Sequence, residues 1–476
     1  MPLLRRSRGR RRVAIIGLDC AEPTLVFDQF VSELPTLGRL RAHGVYGRLE
    51  TVIPAITVPA WSCMMSGRDP GALGIYGFRN RRDYSYNGLS ISDGRAVRLP
   101  RLWDMIARYG KRSLVLNVPG TYPPSPVAGA VIGCFLTPNA QADYTYPAAL
   151  RHDIQRWLGR DYPFDVRDFR TVDKERLLRD VHEMTGAHFE VARRLAARED
   201  WDLFAFVEIG LDRIHHALWA HHDPQHRDHD PASPYRHAIR EYYRRLDEEI
   251  GRLLDVFPDD TAVFVVSDHG AQRMEGGICI NEWLIREGYL VLRNAPKTGD
   301  GATRFEDLSV DWSRTVAWGE GGYYGRLFLN LRDREPEGIV SPEGADALLA
   351  EISARLEQLG DPEGRPIGTR CFRPHSLYPA VNGIAPDMLI YFGDLRWRSI
   401  GTVGWGRVHV YENDTGPDDA NHAQYGMLLY ADPLRDLGGQ YLSDAHLLQI
   451  APTVLRLLDV PVPAEMQMPP IAPIVG

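Results

Sequence analysis

Six short apolar runs, each of strand length and each separated from the next by a longer stretch, restrict this chain to few architectures. They are "RVAIIGL" (12–18), "SLVLNV" (113–118), "WDLFAFVEI" (201–209), "TAVFVVS" (261–267), "DMLIYF" (387–392) and "GMLLYA" (426–431). Runs that stay apolar instead of alternating are the mark of strands buried on both faces. The stretches between them, among them 173–198, "YRHAIREYYRRLDEEIGRLLDVF" (235–257) and "DAHLLQIAPTVLRLLDV" (444–460), carry helical periodicity. The pattern predicts an α/β protein with a mostly parallel sheet flanked by helices on both faces.

Residues 294–385 break this rhythm with the Gly/Asp-rich "KTGDGATRFED", a strand candidate "RLFLNL" (326–331) and a helix near 343–358. They are expected to form an inserted cap subdomain above the carboxyl edge of the sheet. The α/β core is then divided into residues 12–293 and 386–476, behind a basic tail at 1–11. That tail leads into "VAIIGL", only six residues long before Asp19, too short for the apolar region of a signal peptide. No other apolar run approaches the ~20 residues of a membrane span. Five cysteines without a CxxC pair fit a reducing compartment, and the expected location is the cytoplasm. A net charge of -8 argues against a nucleic-acid-binding surface.

The carboxyl ends of the strand candidates are rich in Asp and His. Asp19 closes "IIGLDC", Asp212, His215 and His216 follow in "EIGLDRIHH", Asp268 and His269 close "VVSDHG", and His422 precedes the run at 426 in "DDANHAQYG". Open α/β sheets carry their chemistry at these ends, so groups far apart in sequence converge there. Each motif alone also reads as ordinary structure: Asp and Gly make turns, and an Asp four residues before a His makes a helical surface pair. The sum points to metal. Carboxylates and imidazoles without thiolates suit Zn²⁺ or Mn²⁺ and argue against a purely structural zinc site. Asp19, Asp268 and His269 could bind one ion, and Asp212, His216 and His422 another. Two such ions ~3.5–4 Å apart stabilise both attacking and leaving oxygens in phosphoryl transfer.

A nucleophile is available in "IPAITVPAWSCMMSG", where Thr57 occupies the position of a helix N-cap. Capping alone would explain it. The same geometry also sets the hydroxyl beside free N–H groups where a phosphate would bind, and coordination to a metal would make it an alkoxide nucleophile.

The ordered set Asp19, Thr57, Asp212, His216, Asp268, His269 and His422 resembles the alkaline phosphatase superfamily. Within it the chain is most similar to the type I phosphodiesterase/nucleotide pyrophosphatase group and to bacterial proteins regarded as phosphohydrolases or phosphomutases. The phrases "LPTLGRLRAHGVYGRLETVIPAITVPAWSCMMSGRDPGALGIYGF", "LNVPGTYPP", "NEWLIREGYL" and "QIAPTVLRLLDVPVPAEM" carry the same likeness, which spans roughly 12 to 470. The resemblance implies an alkaline-phosphatase-like sheet and a phospho-enzyme intermediate on Thr57. It also implies one ion held by Asp19, Thr57, Asp268 and His269, and a second held by Asp212, His216 and His422, the ions being Zn²⁺ with Mn²⁺ as the alternative.

Two departures bear on the substrate. Nucleotide pyrophosphatases place an Asn about twenty residues after the nucleophile, whereas "GIYGFRN" puts Phe78 near that spot with Arg79 and Asn80 adjacent. Arg79 could instead meet the extra charge of a monoester. The sulfatase pattern is broken, since Thr57 stands at the modified position and Trp61 at the Arg. Arg213, between ligand candidates, either touches substrate phosphate or pairs with an acid behind the site. The "HHDPQHRDHD" run (221–230) reads as a solvated loop, and Tyr323 and Tyr324 in "WGEGGYYGR" either line the pocket or pack within the cap. The leading expectation is a phosphodiester or pyrophosphate hydrolase acting on a small phosphorylated substrate. A monoesterase or phosphomutase would use the same site, and a non-catalytic phospho-ligand binder would be expected to have lost a ligand.

Overall fold

The computed structural model describes residues 10–294 and 302–476. Most of the basic tail and residues 297–301 of the Gly/Asp-rich segment lie outside the described residues. The large sheet is built from β1 (Arg12–Leu18), β2 (Val45–Glu50), β3 (Ser113–Leu116), β4 (Gly129–Ile132), β5 (Thr145–Tyr146), β6 (Leu203–Glu208), β7 (Thr261–Val266), β8 (Tyr425–Ala431) and β9 (Gln440–His446). Their order across the sheet is β9-β2-β8-β7-β1-β6-β3-β4-β5. All but β5 and β8 run the same way.

Alternate residues of each strand feed two separate cores. Ala14, Ile16, Phe204, Phe206, Val263 and Val265 join one; Val13, Ile15, Leu203, Ala205, Ala262 and Phe264 join the other. This is why the runs read as continuously apolar. Each Val, Leu, Ile or Phe among them contributes about 1.5–3 kcal/mol on burial.

Helices α1 (Thr57–Ser66), α2 (Leu102–Ala107), α3 (Lys174–Arg198), α4 (Gly210–His222), α5 (Ala238–Leu254) and α6 (Ile450–Leu457) cover the faces. In α5 the buried Ile239, Tyr242, Tyr243, Leu246, Ile250 and Leu253 recur at helical spacing and place it in the first core with α3 and α4. Helices α1, α2 and α6 lie in the second. Helix α3 starts where Asp173 accepts from the N–H of Arg176 at 3.0 Å. Among the described residues no helix is long and apolar enough to cross a membrane.

Three expectations are corrected. The strand expected at 387–392 forms as Met388–Tyr391, but it pairs with Gly325–Leu329 and Arg370–Phe372 in a four-stranded antiparallel sheet, so the chain rejoins the large sheet only at β8. Strand β8 is antiparallel to both neighbours. The helix expected over 444–460 begins as the edge strand β9 and becomes α6 only at Ile450, because Pro452 lacks an N–H and is accommodated in a first turn. Outside the large sheet, Pro342–Glu357 forms the expected helix, with Ser341 as its cap, over a core that includes Trp318, Phe328, Leu356 and Ile390.

Candidate metal centre and active site

Strands β7, β1 and β6 are adjacent and parallel, so their carboxyl ends deliver Asp268 with His269, Asp19, and Asp212 on the following helix to one place. His422 reaches the same place from a short antiparallel pair, Gly270–Arg273 with Ala420–Ala423, in which Ala271 lies opposite His422. His216 lies one turn after Asp212 on α4. The seven residues of the expected set are therefore brought together, all of them buried.

The first group is Asp19, Asp268 and His269. His269 Nε2 lies 3.2 Å from Asp268 Oδ2 and 3.8 Å from Asp19 Oδ1. Thr57 Oγ1 sits 3.5 Å from Asp19 Oδ1 and 3.4 Å from His269 Nε2. Thr57 is the first residue of α1 and not its cap; Ile56 holds that position, and Thr57 is left without a capping bond. Its hydroxyl is thereby free for the cluster.

In the second group His216 Nε2 is 3.3 Å from Asp212 Oδ1 and 3.3 Å from His422 Nε2, and His422 Nε2 is 3.7 Å from Asp212 Oδ1. His269 reaches this group as well, since one of its nitrogens lies within 4.8 Å of ligand atoms of both Asp212 and His422. The two groups form one continuous cluster.

The surroundings fix the imidazoles. The Nδ1 atoms of His269, His422 and His216 face the carbonyls of Gly270 (3.1 Å), Ala55 (2.9 Å) and Ala420 (3.0 Å), and His216 Nδ1 also lies 2.7 Å from Asp418 Oδ1. Carbonyls only accept, so Nδ1 carries a proton; the Nε2 lone pairs of His269 and His422 turn to the cluster, as ligating histidines require, while Asp418, Tyr323 and Asp212 outweigh burial and raise His216 well above its ordinary value. Burial pushes His269 down to about 4 and, with His269 and His216 beside it, His422 well below its ordinary value. Burial and the neighbouring Asp212 raise Asp19, and burial and Asp19 raise Asp268. Burial opposes ionisation of Asp212 too, but His216 and Arg213 outweigh it and hold the carboxyl well below the usual range.

A divalent cation fits this donor set. Asp212 Oδ1 and Asp268 Oδ2 are buried acceptors with no hydrogen-bond donor, and like-charged carboxylates packed this closely are costly without a cation between them.

Of the three substrate-binding candidates, only Arg79 lines the adjacent pocket with a guanidinium that has no partner among the described residues. Asn80 lies outside that lining, its amide accepting from Tyr76 N–H at 2.8 Å and donating to Gly77 O and Ser92 Oγ. Arg213 grips Asp165 at 2.8 and 2.7 Å and also bonds Asp212, so it pairs with acids at the pocket's edge. His215 turns away from the cluster to the carbonyl of Cys20 and the ring of Trp219.

Sequence reasoning missed Asp418, whose carboxylate is fully buried between His216, Arg170 (2.9 Å) and Arg398 (3.4 Å). Burial raises its carboxyl, but those three hold it at about 2. The doubled acid of "GPDDANH" was the only signal. Tyr323 stacks on His216 and His422, with centroids 4.8 and 4.1 Å away, so it belongs to the site wall. Tyr324 also lines the pocket, with its hydroxyl on the Tyr76 carbonyl.

No curated protein sequence matches the chain. Similar folds occur in human ectonucleotide pyrophosphatase/phosphodiesterase 5, with a TM-score of 0.55, 13% identity and coverage of 97% of this chain and 96% of that one. Phosphonoacetate hydrolase from Sinorhizobium meliloti 1021, in complex with phosphonoformate, gives a TM-score of 0.59 at 14% identity over 95% and 96% of the two chains. The murine ectonucleotide pyrophosphatase/phosphodiesterase 5, an inactive variant in complex with AMP, gives 0.53 at 12% over 95% and 96%. The sequence model of the type I phosphodiesterase/nucleotide pyrophosphatase family matches residues 13–418. With its fold and most of its length accounted for in this way, the chain belongs to that family of phosphoester hydrolases, within the alkaline phosphatase superfamily.

Proposed function

We propose that this protein hydrolyses phosphodiester or pyrophosphate bonds of a small phosphorylated substrate through a phosphothreonine on Thr57, at a site for two divalent ions, Zn²⁺ or alternatively Mn²⁺. The observation that carries the reading is the Thr57 hydroxyl, uncapped, at a helix N-terminus, within 3.5 Å of Asp19 and 3.4 Å of His269. Asp19, Thr57, Asp268 and His269 would hold one ion, and Asp212, His216 and His422 the other. When bound, such ions lower the pKa of a hydroxyl and stabilise charge on attacking and leaving oxygens.

The chain's own part is positional. The first turn of α1 has N–H groups without intrahelical partners, suited to the non-bridging oxygens of a phosphoryl group. Thr57 Oγ1, having lost its proton, attacks phosphorus. The P–O bond to the leaving group breaks, and the leaving oxygen departs with the electron pair. Water then attacks phosphorus, breaking the bond to Thr57 Oγ1, which regains a proton as the monoester leaves. The five cysteines are all free, which supports the cytoplasmic placement as part of this proposal.

A monoesterase or phosphomutase is the second reading, favoured by the uncommitted Arg79, whose guanidinium suits the extra charge of a monoester. The test compares a chromogenic phosphodiester with its matching monoester on metal-replete protein and on Thr57→Ala. Faster diester cleavage, lost in a variant that keeps its metal, is expected. Near-normal turnover by Thr57→Ala overturns the nucleophile, and faster monoester cleavage selects the second reading.

A further inference from the structure

The pocket beside Thr57 measures about 990 Å³, near the upper end of the roughly 300–1,000 Å³ typical of small-molecule sites. One phosphoryl group fills a small part of it. Six arginines line it: Arg79, Arg167, Arg170, Arg213, Arg326 and Arg398. Three of these are already answered by protein carboxylates, and Arg167 is exposed and makes no ion pair among the described residues. Arg213 is held by Asp165 and Asp212, while Arg170 and Arg398 share Asp418.

Arg326 is different. It is only 8% exposed, yet no carboxylate among the described residues pairs with it, and its one hydrogen bond runs from Nη1 to the backbone carbonyl of Arg79. Glu320 stands across from it in the strand register and lines the same pocket; burial raises its carboxyl while the charges of Arg326 and Arg79 act against that, but it lies in contact with neither guanidinium. A buried guanidinium without a carboxylate in contact with it is costly. Its planar fork of donors is matched to carboxylate or phosphate, and the carbonyl uses only one of five N–H groups. The Arg79 side chain is exposed, lines the same pocket and makes no ion pair among the described residues.

We propose that Arg326 and Arg79 form a second anion subsite, so that the substrate is a phosphate ester whose other end carries a carboxylate or a further phosphate. The subsite rests on the hydrolase reading for its role as a substrate site, and on a buried guanidinium with one hydrogen bond and no paired carboxylate for its existence. It makes a bis-anionic compound the preferred ligand of a chain whose net charge is -8, because the local field of the pocket opposes that of the whole molecule.

The test is calorimetric titration of metal-replete protein with alkylphosphonates ending in methyl, against the same chains ending in carboxylate, over several chain lengths. At one length or more the carboxylate compound is expected to bind at least about tenfold more tightly, the worth of one charge-assisted bidentate contact. That gain is expected to shrink below about threefold in Arg326→Gln and in Arg79→Gln. The second variant keeps the Arg79 carbonyl, so it retains the bond that steadies Arg326 if the first fails to fold. Equal affinity of the two series at every length, or a gain surviving in Arg79→Gln and any folded Arg326→Gln, overturns the subsite. Turnover of nitrophenyl diesters is measured in parallel. A gain in affinity without any turnover leaves the subsite standing and removes the hydrolase reading, and turnover without the gain does the reverse.

Discussion

The indole N–H of Trp61 donates to Oδ2 of Asp19 at 2.7 Å, and one turn earlier on the same helix Thr57 stands 3.5 Å from the other oxygen of that carboxylate. Helix α1 thus supplies both the hydroxyl and the donor that orients the acid beside it. Trp61 is fully buried against β1 at Gly17, where a Cβ would come within 2.3 Å of the indole ring. Any larger residue there would displace the ring and the carboxylate it holds.

Trp61→Phe keeps most of the packing and removes the donor. Asp19 Oδ2 is then a buried acceptor without a partner, which costs about 1–3 kcal/mol. Loss of an orienting partner is expected to weaken metal binding about 10–100-fold. Chelator competition reads the affinity and denaturant titration the stability. Unchanged metal affinity would mean that Asp19 is oriented without Trp61.

Asp418 plays the corresponding part for His216. It lies 2.7 Å from Nδ1 and is also the counter-charge of Arg170 and Arg398. Asp418→Asn keeps an acceptor for the imidazole but removes the negative charge, leaving two guanidiniums uncompensated near the cluster. Their field opposes a cation, so metal affinity is expected to fall about 10–100-fold, with the larger loss at low salt. Equal affinity for wild type and variant across salt concentrations would refute this role.

How much of this could be read from the chain alone differs from residue to residue. Asp268 and His269 were legible because a six-residue buried run ends on them, and Asp212 and His216 because four residues make one helical turn. The direction of β8 was not legible, since apolar patterning reports burial and not polarity of pairing. The same limit hid the sheet to which Met388–Tyr391 belongs. Asp418 and Asp419 are adjacent acids in an irregular loop with opposite fates, one held at about 2 among cations and the other pushed up to about 7 chiefly by burial. Only tertiary packing separates them. Asn80 offered an amide of the right type in the right loop, but its own turn consumes it.

His446 gives a pH prediction independent of the metal site. Its Nδ1 accepts from the N–H of Leu448 at 3.1 Å, so the ring must be neutral on that nitrogen, and burial pushes its pKa down to about 4. An unfolded histidine titrates near ~6.5. Between these values the unfolded chain binds more protons than the folded one, so this residue's contribution to stability is complete above about 6.5 and is lost as pH falls toward about 4. His446→Gln removes the titrating group, and its denaturation midpoint is expected to fall less steeply than that of wild type between those limits. Parallel pH dependences would exclude His446 as a source.

Arg81 and Glu335 form a buried pair, with Nη1 2.8 Å from Oε1 and side-chain exposures of 3% and 0%. It joins the hairpin that carries Arg79 to the chain after Gly325–Leu329, which carries Arg326. The two partners are not equivalent. Glu335 also accepts from Arg334 and from the N–H of Leu331 at 2.9 Å, whereas Arg81 has among the described residues only one further acceptor, the carbonyl of Ser85 at 3.3 Å, beside the rings of Tyr84, Trp318 and Phe328. Glu335→Leu therefore strands a buried cation and is expected to cost about 3–5 kcal/mol. Arg81→Met leaves the carboxylate its other donors and is expected to cost less, about 1–3 kcal/mol. Denaturant titration of both variants measures the difference, and equal losses would show that the other donors of Glu335 do not compensate it for the loss of Arg81.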